Sequence, residues 1–83
     1  MLGKKEKKLH FHFATLDRLA KEFGAKRVSK EAIEEIDTLL SNILKELIEV
    51  SEKLARHAKR KTILREDVKL AVKSMKILRE ETD

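Results

Sequence analysis

The stretch from Lys30 to Ala58 contains neither glycine nor proline, and its apolar residues Ile33, Ile36, Leu40, Ile43, Leu47, Val50 and Leu54 follow one another at intervals of three and four. That spacing keeps one face of an α-helix apolar, whereas a strand needs a two-residue repeat. A helix of this length extends ~43 Å at the usual rise per residue. Ala32, Leu39, Leu44 and Ile48 flank the seam and widen it into a broad stripe. The chain has 83 residues, enough for one small domain whose core is modest. Covering so long an apolar face is the first problem it must solve.

Two shorter segments have the same periodicity. Phe13, Leu16, Leu19, Ala20 and Phe23 predict a first helix over residues 13–23, and Gly24 is suited to end it in a left-handed conformation. Ser29 is placed to cap the long helix, with Glu31 near its positive end. Val68, Ala71, Val72, Met75 and Leu78 predict a third helix over 64–78, with Glu66 and Asp67 in its first turn. Thr62 and Ile63 suggest a brief extended run at 61–63. The expected fold is therefore all-α, in the order short, long, short. Two short helices cannot cover the stripe, and soluble monomers avoid large exposed apolar patches. Obligate self-association follows.

Charge is distributed unevenly. Residues 30–53 contain seven acids and three bases. The positive charge lies elsewhere: net +3 over 18–27, +5 over 56–65 and +3 over 4–8, with −2 in the closing "REETD". Basic clusters around two connectors suggest a polyanionic partner, although such residues also serve as plain solvated surface. There is no cysteine, which excludes disulfides, thiolate catalysis and cysteine-ligated zinc. No stretch approaches the ~18 apolar residues of a membrane span. The start "MLGKKEKKLHFHF" lacks the apolar region of a signal peptide. A soluble intracellular protein is expected, with no cofactor and no enzyme constellation.

The helix lengths, "GAKRVSKEA" before the long helix and "LARHAKRKTILREDVKLAV" after it resemble archaeal histones over residues from about 13 to 77. The resemblance implies a histone fold in which two long helices cross head to tail in a handshake homodimer. Ile33, Ile36, Leu40, Ile43, Leu47 and Val50 would form the dimer core. It implies that the first connector of one chain lies beside the second connector of its partner, and that both face duplex DNA. Arg27 and Thr62 would then pair near the minor groove, and Lys61 would face phosphate. Arg60 would bridge structurally to Asp67, and Arg18 on the first helix would reach DNA. Lys26 and Lys59 add charge to the same surface; Arg18, Lys26 and Lys59 also read as solvated charges. Lys59 stands where the family commonly has glycine, so a positive φ there would be strained. Leu54, His57, Asp67 and Leu70 match a contact between dimers, implying tetramers or longer stacks. Gly24 matches a position where stacked dimers approach.

His10 and His12 form an H-x-H pair between phenylalanines, too few ligands for a metal site. "FHF" is expected to pack at the start of the first helix, where the family usually has a proline-containing stretch. Residues 1–12 read as a basic tail, disordered in part, 13–78 as the domain and 79–83 as an acidic tail. The function implied is architectural: a nucleoid- or chromosome-associated cytoplasmic protein that wraps, bends or coats duplex DNA largely without sequence specificity. The alternative is a histone-fold assembly module of a transcription-related complex. The basic "KRKT" argues against it.

Overall fold

In the computed structural model, described over residues 8–75, the order is α1 Phe13–Glu22, α2 Lys30–His57 and α3 Arg65–Ser74, with no strand among the described residues. The expected acidic tail, residues 76–78 of the expected third helix and residues 1–7 of the basic tail lie outside that range. Two compact units, residues 1–41 and 42–83, divide the chain within α2.

In the first unit, α1 starts where the His12 carbonyl accepts the N–H groups of Thr15 and Leu16, both at 3.1 Å. It ends in a Schellman closure, with Gly24 N–H donating to Lys21 O at 3.1 Å and Ala25 N–H to Ala20 O at 3.0 Å. This closure puts Gly24 at φ 118, a conformation open to glycine because it has no Cβ. Phe23 is the cap residue and is 81% exposed. The periodicity placed it on the apolar face, but it lies one residue past the last helical turn. Ser29 Oγ then accepts the Ala32 N–H at 3.0 Å and opens α2. Leu16 and Ile33 are the buried apolar residues of this unit, and Leu39 and Leu40 are exposed.

In the second unit, α2 ends in the same closure: Lys59 N–H donates to Arg56 O at 2.9 Å and Arg60 N–H to Ala55 O at 3.0 Å. Here the left-handed residue is Lys59, at φ 63. Lys61 and Thr62 lie in a bend, and the backbone extends only at Leu64, with φ −105 and ψ 169. The short extended run expected at 61–63 is absent because Arg60 Nη1 donates to Thr62 O at 2.9 Å and turns the chain. Ala55, Ala71 and Met75 form the apolar core. Leu44, Ile48, Leu64 and Leu70 remain exposed. The Ser51 side chain is fully buried, and its hydroxyl has no hydrogen-bond partner among the described residues.

Candidate nucleic-acid interface

The second connector is organised around one carboxylate. Asp67 is 5% exposed. Its Oδ2 accepts from Arg60 Nη1 at 2.9 Å and from Leu64 N–H at 2.8 Å, while Oδ1 accepts from Arg60 Nη2 at 3.1 Å. The fork of the guanidinium matches the two oxygens, which fixes orientation as well as distance. Hydrogen bonds from Arg60, then from the Leu64 backbone, hold the Asp67 carboxyl below its ordinary range against the opposing effect of burial. The hydrogen bonds to Asp67 likewise raise the Arg60 pKa. Arg60 is thus turned inward, towards Asp67 and the Thr62 carbonyl. Lys59, Lys61 and Thr62 are exposed.

In the first connector Lys26 and Arg27 are exposed. Several helical cations differ from these in having an acid four residues away. Arg18 pairs with Glu22 at 3.1 Å, Lys21 with Asp17 at 3.1 Å, Lys45 with Glu49 at 4.0 Å and Arg56 with Glu52 at 2.7 Å. Lys26, Arg27, Lys59 and Lys61 have no ion pair among the described residues, so their charge is available to an external anion. Arg18 is divided between Glu22 and any such partner, although exposed pairs of this kind are weak.

His57 is exposed and, with Lys53 and Arg56, lines a shallow recess of about 390 Å³. Leu54 is half-buried and Leu70 is 54% exposed. Of the residues assigned to a dimer core, Ile33 is already buried within the chain, whereas Leu40 is 37% exposed and Ile36, Ile43, Leu47 and Val50 are half-buried.

The sequence reading missed Asp37. This residue is fully buried in the first unit. It accepts the His10 N–H at 3.0 and 3.1 Å and the Phe11 N–H at 2.7 Å, and the His10 Nδ1 lies 3.3 Å from Oδ2. Burial pushes the Asp37 carboxyl up, but these hydrogen bonds outweigh it and hold the group below its ordinary value. The available signal was position: Asp37 stands four residues after Ile33, on the apolar side of α2, where an unpartnered acid has no place. No group of three or more His, Asp or Glu that could hold a metal occurs among the described residues. None of the described helices is long and apolar enough to cross a membrane.

Three helices of these lengths, with a capped connector on either side of the long one, define a histone fold. The family model for the core histone domain matches residues 4–74. The chain is 43% identical over 61 residues to the archaeal histone HAN1 of Thermococcus zilligii, covering 74% of this chain and 91% of that protein. It is 45% identical over 56 residues to the probable archaeal histone 3 of Methanocaldococcus jannaschii, covering 68% of this chain and 84% of that protein. The chain belongs to the histone family, in its archaeal type.

Proposed function

We propose that this protein is an architectural chromatin protein that binds duplex DNA as a homodimer, largely without sequence specificity, and bends, wraps or coats it. The observation that carries the reading is the sorting of charge in the connectors. Arg60 is committed to Asp67, while Lys59 and Lys61 stand exposed beside it and Lys26 and Arg27 are exposed in the first connector. Cations held in fixed loops neutralise phosphates and release counterions, a gain that does not depend on base sequence. Any preference would come from the deformability of the duplex.

Self-association is supported by the apolar residues that a single chain leaves exposed. Leu39, Leu40, Leu44 and Ile48 are 48, 37, 47 and 44% exposed, and they recur at about four-residue spacing along α2. A second copy crossing at this face would cover them, and would bring Arg27 of one chain near Thr62 of the other. Leu54, His57, Asp67 and Leu70 are the residues proposed to join dimers into larger assemblies. Such a protein would lie with the chromosome.

The test is retardation of arbitrary duplex DNA across a salt series. Affinity should fall steeply from about 50 to 200 mM salt. Lys61→Glu combined with Arg27→Glu should abolish binding while helicity and dimer mass are unchanged. Retained binding in that variant would overturn the connector assignment. No binding by the wild type at low salt would favour a protein-assembly role.

A further inference from the structure

We infer that Asp37 is an anchor that holds the Lys8–His12 segment as a third phosphate-binding element, separate from the two connectors. The inference rests on the DNA-binding reading above. Its starting point is an unfavourable choice of residue in the core. A carboxylate removed from water is costly unless it is fully hydrogen-bonded, and an apolar residue would fill this place at lower cost. All the hydrogen bonds found for Asp37 come from one short piece of chain: two backbone N–H groups and one ring nitrogen of residues 10 and 11. The carboxylate therefore does one thing, which is to fix where that piece of chain runs.

The exposure pattern shows what the fixed segment presents. Leu9 and Phe11 are half-buried, whereas Lys8, His10 and His12 are exposed, so the alternate residues face outward. An ionised carboxylate can only accept, so His10 Nδ1 is the donor to Asp37. Nε2 is left on a ring that is 71% exposed. This accounts for the spacing of the H-x-H pair without a metal: two outward positions of an extended segment. The sequence immediately before it contributes Lys4, Lys5 and Lys7 against one acid, Glu6. An anchored segment loses less entropy on binding than a free one and keeps its lysines at high local concentration near the duplex.

The experiment compares salt slopes for the full chain on a short duplex of arbitrary sequence. A variant with Lys4, Lys5, Lys7 and Lys8 all changed to Ala should lower the slope of log K against log salt by roughly 0.9 for each phosphate no longer neutralised. Asp37→Asn keeps every lysine, yet should lose a comparable part of the slope with helicity and dimer mass unchanged. An unchanged slope in the lysine variant overturns the inference. So does a reduced slope there with a wild-type slope in Asp37→Asn, since the anchor would then be irrelevant. If Asp37→Asn does not fold, acylation of the wild-type lysines decides: Lys8 should be protected when DNA is bound, and equal labelling with and without DNA overturns the inference. These outcomes differ from failure of the wild type to bind at all, which removes the DNA-binding reading and the anchor's role together.

Discussion

Lys59 occupies at the end of α2 the backbone position that Gly24 occupies at the end of α1. Both close a helix through the same pair of backbone hydrogen bonds, and both have positive φ, 63 and 118 respectively. Glycine takes this conformation without steric cost, while a residue with a Cβ is strained there. The strain in the second connector places a lysine beside Arg60 and Lys61, which is a reason to keep it only if its charge is used.

Lys59→Gly should therefore stabilise the protein by about 1 kcal/mol in urea unfolding. It should also weaken DNA binding and lower the salt slope by roughly 0.9, for one phosphate contact. Lys59→Ala should lose the same slope without the gain in stability. Equal stability of the two variants would show that the backbone at this position is unstrained.

The two depressed carboxyls predict the shape of acid unfolding. Asp37 and Asp67 both titrate below the ordinary value of 3.8 in the folded chain. The folded state thus binds fewer protons than the unfolded one in this range. The stabilisation is complete above about pH 4 and is lost as pH falls through the depressed folded values. Asp67→Asn should be less stable than wild type near neutrality and should show a shallower decline below about pH 4. Parallel curves for the two proteins would contradict this role for the carboxylate in the connector.

Leu44 is 47% exposed in a single chain, so a charge there would be tolerated by a monomer. In a homodimer built on this face, Leu44→Glu buries an unpaired carboxylate, which is among the costliest of single changes. The expected result is loss of the dimer by sedimentation, with helicity falling alongside it. Wild-type Tm should rise with protein concentration, as it does when folding and association are coupled. A Leu44→Glu dimer of unchanged mass would move the interface elsewhere.

Local signals in the sequence located the helices well. Ser29 and Gly24 mark ends through their own side-chain or backbone chemistry, and α2 closes at His57, one residue before the expected Ala58. The left-handed turn at Lys59 was legible only as a residue standing where the family has glycine. Two features escaped. The bend at Lys61 and Thr62 overrides the extended preference of Thr62 and Ile63, because one Arg60 nitrogen reaches a carbonyl two residues on. The Asp37 anchor joins residues 26 and 27 positions apart through backbone N–H groups, which every non-proline residue possesses and no side-chain pattern advertises. What could be read was the misplaced acid; its partners could not.

The Arg60–Asp67 fork also bears on kinetics. Asp67 is nearly sealed from solvent, and salt screens buried pairs far less than exposed ones. The ionic strength that strips phosphate from Lys61 therefore leaves the connector in the same conformation. DNA meets a loop that is already shaped and leaves one that does not relax. Exchange on the duplex would then be set by the traffic of small ions at its surface, and release would not wait for any part of the protein to refold.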